Sequence, residues 1–210
     1  MSLDVKSMDA SPDLDLSFTK SDLGDVVSHD NDPVVISVVM VGRRVHRVLI
    51  DQGNLTNVMF WSMFANLWIS PDQLRPHDGC LVGFARDQVE VRGYVDLRTT
   101  FSDDKAARTV VIRYVVVNTP SAYNLLLGRP SLNRLGAVAS TKHMKMKLPS
   151  LERIVIVIKS DQKAVRKCYE RNLKNKRRTY STTVVHGGGS VEVLENGIAS
   201  GRRPGPASDV

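Results

Sequence analysis

The chain has 210 residues, with 29 Lys and Arg against 22 Asp and Glu and a formal charge of +7. A 42% hydrophobic and 24% charged composition is near the globular average, which excludes wholesale disorder and a fibrous repeat. The longest apolar runs, residues 34–41 and 154–158, fall short of the roughly 18–20 residues that a membrane helix requires, so no membrane contact is expected.

Charge is segregated along the chain. Residues 1–32 hold eight Asp against Lys6 and Lys20, a local charge of −6. Such a leader has too little apolar surface to offset the entropy of ordering, so residues 1–30 are expected to be mobile, with Phe18 and Leu23 as candidates for local docking. The N-terminal residues lack a basic segment followed by an apolar stretch and a cleavage site, and the only cysteines are Cys80 and Cys168. A reducing, intracellular and cytoplasmic setting is the corresponding expectation.

From residue 34 onward, β-branched runs recur at short spacing with turn residues between them: 34–41, 45–50, 79–84, 89–101, 108–117 and 125–127. This pattern predicts an all-β fold with a closed or sandwiched sheet over residues 31–160. Gly42-Arg43 reads as a tight hairpin, and Ala85-Arg86-Asp87 separates the next pair of runs similarly. Two short helices are predicted, over 61–67 and 130–135, the second opened by Pro130 in its first turn. A basic helical connector over 161–180, capped by Asp161 and carrying an apolar stripe of Ala164, Val165, Cys168, Tyr169 and Leu173, is expected to lie outside the β-domain. Residues 181–210, with Gly187-Gly188-Gly189 and Arg202-Arg203-Pro204-Gly205-Pro206, read as a disordered tail.

The segment Val45-His46-Arg47-Val48-Leu49-Ile50-Asp51-Gln52-Gly53-Asn54 places an aspartate directly after an apolar strand, with glycine two residues on. A strand end fixes such a carboxylate, and the amides of the following turn can hydrogen-bond its oxygens. Some seventy residues later, Leu126-Leu127-Gly128-Arg129-Pro130 runs from apolar residues into Gly-Arg and a helix. Together with Ser70-Pro71-Asp72-Gln73-Leu74-Arg75-Pro76, Gly83-Phe84 and Val91-Arg92-Gly93-Tyr94-Val95-Asp96-Leu97, these segments resemble the retropepsin-like aspartic protease of plant gypsy-type LTR retrotransposon polyproteins. The resemblance covers residues 18–170.

It implies a half-barrel acid protease domain that hydrolyses polypeptides. Water is activated between two aspartates that share one proton, because like charges a few ångströms apart cannot both ionise. The other Asp-x-Gly, Asp22-Leu23-Gly24, lacks a preceding apolar strand. The resemblance therefore implies a homodimer with Asp51 of each chain on the two-fold axis, and no cofactor or metal. It further implies a catalytic loop of Gln52, Gly53 and Asn54, a substrate-covering flap at Gly83, Phe84, Ala85 and Arg86, and a supporting motif of Leu126, Leu127 and Gly128. A virus-like particle is a context that the family would supply.

The sequence departs from the family pattern at Gln52, where Thr or Ser is usual and its hydroxyl bonds across the dimer axis. It departs also at Asn54 for Ser, at Thr56-Asn57 for Ala-Asp, and at Arg86 in place of a flap glycine. A catalytically decayed dimerisation scaffold is accordingly the alternative to an active endopeptidase. The nine basic residues between Lys159 and Arg178 provide a further alternative, a weak nucleic-acid contact through residues 159–178, against a solvated linker. His29, His46, His77, His143 and His186 have no metal or triad spacing, and neither Ser62 nor Cys80 sits in a nucleophile context.

Overall fold

The computed structural model describes residues 14–23, 32–77, 81–82 and 88–168. Eleven strands are present among them: β1 Val35–Met40, β2 Arg43–Ile50, β3 Val58–Phe60, β4 Leu81–Val82, β5 Gln88–Val89, β6 Val91–Ser102, β7 Ala107–Val117, β8 Leu125–Leu127, β9 Val138–Ser140, β10 Lys145–Pro149 and β11 Val155–Lys159. Helix α1 spans Trp61–Asn66 and α2 spans Arg129–Leu135, close to the predicted positions, and a third helix, α3, is described over residues 162–168. None of the helices among the described residues is long and apolar enough to cross a membrane.

Six strands close a barrel in the order β1-β2-β8-β3-β7-β6, with β6 returning to β1. The alternating pattern of β6 and β7 dictates this: Val95, Leu97, Thr99 and Phe101 on β6 and Val110, Ile112 and Tyr114 on β7 turn inward, while the intervening residues face out. At the end of β7 the alternation gives way to a buried run, Val115-Val116-Val117. Val116 enters the main core, and its neighbours join an outer cluster with Val58, Phe60, Val91 and Leu126. Inside, the hydroxyls of Tyr114 and Thr99 bond each other at 3.0 Å, satisfying two buried polar groups.

The β1–β2 hairpin turns at Val41-Gly42, one residue before the predicted position, with φ of 49° and 68°. Both residues are left-handed, as a two-residue turn matched to strand twist requires, and only Gly42 adopts that region without steric cost.

A second sheet, β11-β10-β9, was not predicted as a unit: residues 154–158 stood out only as an apolar run. Along β10, Met146 and Leu148 are buried with Ile156 and Ile158 of β11 and join the barrel core together with Leu132 and Leu135 of α2. Lys145 and Lys147 alternate onto the other face, so the strand has the period of two but little apolar content by which to recognise it.

Two expectations about the ends are revised. The acidic leader contributes a docked segment, residues 14–23. Phe18 stacks on His143 with ring centroids 4.9 Å apart, and Lys147 Nζ lies 4.8 Å from the Phe18 ring. Asp22 Oδ1 pairs with Lys147 Nζ at 2.8 Å, its Oδ2 accepts from the Thr19 amide at 2.8 Å, and its carbonyl accepts from Lys145 Nζ. The attachment thus combines one ion pair, hydrogen bonds from Lys145 and Lys147 to backbone carbonyls, and the Phe18 ring contact. The basic helix, expected outside the β-domain, packs its first two turns against it. Asp161 N–H donates to Val35 O, Ala164 and Val165 of the predicted apolar stripe pack with Val35 and Met144, and buried Cys168 directs its Sγ to Ala122 O. Residues 1–13, 24–31 and 169–210 lie outside the described residues, and with them the predicted tail and the rest of the connector.

The Lys147 bond and the Thr19 amide hold the Asp22 carboxyl down from 3.8 to about 2. A depressed folded-state pKa gives a stabilisation that is complete above the unfolded value and lost as pH falls through the folded one. Docking of residues 14–23 is therefore expected to persist above pH 3.8 and to weaken as pH approaches 2. Amide exchange at Thr19, followed by NMR, should show protection disappearing across that window. In Asp22→Asn the same protection should already be low at neutral pH with the barrel amides unchanged.

Candidate active site

Strands β2 and β3 are consecutive in the chain but not adjacent in the barrel, since β8 lies between them, parallel to β2 and antiparallel to β3. The connection 51–57 must therefore pass across the end of β8, where Gly128 follows Leu127. The crossing is tight: a Cβ at Gly128 would lie 2.3 Å from Thr56 O and 2.8 Å from Asn54 O. Only glycine permits that approach.

Asp51 stands at the C-terminal end of β2. Its backbone N–H donates to Leu127 O at 2.9 Å, which ties the residue to β8, and Ile50 N–H donates to Val34 O at 3.0 Å. The chain then turns, with Asn54 N–H reaching Asp51 O at 3.3 Å, and Gly53 N–H donates to Asp51 Oδ1 at 3.0 Å. The glycine at 53 does not use the left-handed region expected of a sharp turn. It leaves room instead, since a Cβ there would sit 3.3 Å from Asp51 Oδ1.

The loop is held from the α2 side as well. Arg129 N–H donates to Asn54 O at 2.9 Å, and Arg129 Nε donates to Gln52 O at 3.2 Å. Buried Asn57 joins three elements: its Oδ1 accepts from Gly128 N–H at 3.0 Å and from Ser131 Oγ at 2.7 Å, and its Nδ2 donates to Arg113 O at 3.1 Å. Every polar atom of this amide is used.

Asp51 opens onto a cleft of about 380 Å³ lined by Val34, Ile50, Asp51 and Gln52 on one side and Ala139, Ser140, Thr141 and Lys142 on the other. Asp51 is the one carboxylate among those lining residues. The Gln52 side chain crosses to the opposite wall, where Nε2 donates to Ala139 O at 3.2 Å.

Thus Asp51, Gln52, Gly53 and Asn54 come together with Leu127 and Gly128. Leu126 turns the other way, into the outer cluster on β3 and β7. Gly83, Phe84, Ala85 and Arg86 lie outside the described residues; the strands on either side of them, β4 and β5, pair antiparallel, Leu81 with Val89 and Val82 with Gln88. Asp22, of the second Asp-x-Gly, is engaged with Lys147. The sequence did not mark Asn57 as a hub or 139–142 as a wall. Asn57 stood out in the sequence only as a departure from the family pattern, in Thr56-Asn57 for Ala-Asp.

Among solved structures, the chain is similar to the retroviral protease-like domain of Ddi1 from Leishmania major, with a TM-score of 0.47 and 13% identity over 62% of this chain and 97% of that one. It is similar also to EIAV protease in complex with the inhibitor HBY-793 (TM-score 0.39, 22% identity, 55% of this chain and 99% of that one). A retropepsin-like aspartic protease from Rickettsia conorii gives a TM-score of 0.37 at 11% identity, over 59% of this chain and 80% of that one. No protein-family model and no curated protein matches the sequence.

Asn57→Ala would strand the Gly128 amide, the Ser131 hydroxyl and the Arg113 carbonyl in a buried site, at about 1–3 kcal/mol for each group left unpaired. Relaxation will recover part of this, so a loss of about 3–5 kcal/mol in unfolding free energy is expected by chemical denaturation, against about 0.5–1.5 kcal/mol for Ser131→Ala. A cost for Asn57→Ala no larger than that for Ser131→Ala would show that the amide is not the hub.

Proposed function

We propose that the chain is an aspartic-type endopeptidase in which Asp51 acts together with Asp51 of a second copy. The observation that carries this reading is the placement of Asp51: a strand-end carboxylate, fixed by Leu127 O and the Gly53 amide, as the one carboxylate lining a cleft of about 380 Å³. A single carboxylate cannot both accept a proton from water and donate one to the scissile carbonyl, so the chemistry calls for a symmetric partner. In the dyad one Asp51 is ionised and takes a proton from the bound water. The other is protonated and hydrogen-bonds the carbonyl oxygen that gains charge as water attacks. The proton then passes to the leaving amine. The sequence resemblance supports a retrotransposon polyprotein as the source of both enzyme and substrate, with an intracellular site of action.

One observation favours a second reading, the catalytically decayed dimerisation scaffold. The Gln52 amide, at the position whose hydroxyl the resemblance would place across the dimer axis, bonds Ala139 of its own chain. A dimer lacking that pair of bonds forgoes about 0.5–1.5 kcal/mol for each.

The test is cleavage of a polyprotein-derived peptide at mildly acid pH by the full chain, with inhibition by pepstatin. The expected rate profile is bell-shaped, its limbs belonging to the dyad as a unit. Asp51→Asn should reduce the rate to background while sedimentation shows the dimer retained, and Asp22→Asn should cleave as the parent does. Cleavage persisting in Asp51→Asn rejects the assignment. A parent that dimerises but does not cleave selects the scaffold.

A further inference from the structure

The β1–β2 register slips between Ile36, which faces Val48, and Val38, which faces Val45, so that His46 and Arg47 together oppose Ser37. This is a β-bulge, and it holds Arg47 at φ 59°, a conformation that non-glycine residues rarely adopt. Asn124 stabilises it on three sides: Oδ1 accepts from Arg47 Nη2 at 2.7 Å, Nδ2 donates to His46 O at 2.8 Å, and its backbone N–H donates to Arg47 O at 3.0 Å. Ser37 Oγ bonds His46 Nδ1 at 2.8 Å and fixes that ring. Bulges of this kind re-aim side chains.

Here they share a cleft with α3. Docking of Val165 and Cys168 on the barrel leaves Lys163 and Lys167, one turn apart, exposed on a shared face. His46, Arg47, Lys163 and Lys167 surround a cleft of about 440 Å³ whose remaining walls are Ala164 and Asp161. The one carboxylate is already engaged, since Asp161 Oδ1 accepts from the Ala164 amide and caps α3. Three cationic side chains and an imidazole thus line the cleft with a single carboxylate, which is turned toward the helix.

We propose that this cleft binds the phosphate groups of a nucleic-acid backbone. No aromatic ring other than His46 lines it, so nothing in it reads or stacks bases, and recognition is of charge. A polyanion suits the surroundings better than an isolated phosphate. Exposed Arg43 and Arg44 precede the bulge on β2, and Arg166 is a further exposed cation of α3. A phosphodiester chain presents charge at regular spacing without side chains that need pockets of their own, and the cleft has none to offer. The site is independent of the Asp51 reading.

The experiment measures binding of a fluorescent mixed-sequence single-stranded DNA oligonucleotide to the full 210-residue chain by anisotropy across a salt series. Each phosphate contact contributes about 0.7–0.9 to the slope of log affinity against log salt. Lys163→Gln/Lys167→Gln should therefore flatten the slope by about 1.5 and weaken binding roughly tenfold or more at 0.1 M salt. Arg47→Gln alone should flatten it by about half as much. Arg98→Gln/Lys105→Gln, which removes two exposed cations of β6 and its turn, should leave the slope near the parent's. Absence of binding by the parent, an unchanged slope in Lys163→Gln/Lys167→Gln, equal weakening by Arg98→Gln/Lys105→Gln, or binding of a polyglutamate peptide as tight as that of the oligonucleotide at the same salt would each overturn the proposal.

Discussion

The crossing of Gly128 beneath the loop 51–57 is the constraint on which the rest of the molecule depends. It arises from topology: with β8 inserted between β2 and β3, the chain leaving β2 has to pass over the end of β8 to reach its next strand. Backbone oxygens of Asn54 and Thr56 then occupy the space that any Cβ at 128 would need. A close approach of this kind is stable only if the polar groups it buries are paired, and Asn57 pairs them, joining Gly128 N–H, Ser131 Oγ and Arg113 O. The position of Asp51 follows, because Leu127 O, one residue before the crossing, accepts its N–H.

A carboxylate so placed is oriented by backbone rather than by other side chains. The Gly53 amide fixes one oxygen, and the loop that carries it is held by the Arg129 contacts to Asn54 O and Gln52 O. Such a loop has few ways to relax, and the carboxylate it carries is held in one orientation. The Gln52 side chain adds a brace between the loop and β9 within the chain, so the two walls of the cleft are linked by Nε2 and Ala139 O.

The all-β class, both short helices and the Asp51 strand end were legible because each rests on local pattern: alternation in β6 and β7, Pro130 in the first turn of α2, and an apolar run into Asp-x-Gly. The second sheet was not legible for an equally local reason. Lys145-Met146-Lys147-Leu148 offers only two inward residues, and its partner β11 reads as a buried run that periodicity alone does not assign. Asn57 was legible as an anomaly and not as a hub, since its three partners come from β7, Gly128 and α2, which are 56 to 74 residues away in sequence. The docking of α3 was obscured by its charge: Val165 and Cys168 supply the contact, yet the surrounding lysines and arginines dominate the composition.

Charge segregation in the sequence corresponds to a division of labour in the fold. On β10 the inward turn of Met146 and Leu148 forces Lys145 and Lys147 to the same outer face, where like charges two residues apart repel unless covered. The acidic leader covers them: Asp22 carboxylate meets Lys147, and the carbonyls of Asp22 and Ser17 take further donors from Lys145 and Lys147. Among the described residues, no comparable cover meets the cations at the β2 bulge. Arg47 has one donor on Asn124, Lys163 and Lys167 are exposed, and the Asp161 carboxylate between them caps its own helix. Among the described residues, cations are paired where the leader lies, whereas Lys163 and Lys167 stand exposed at the β2–α3 junction.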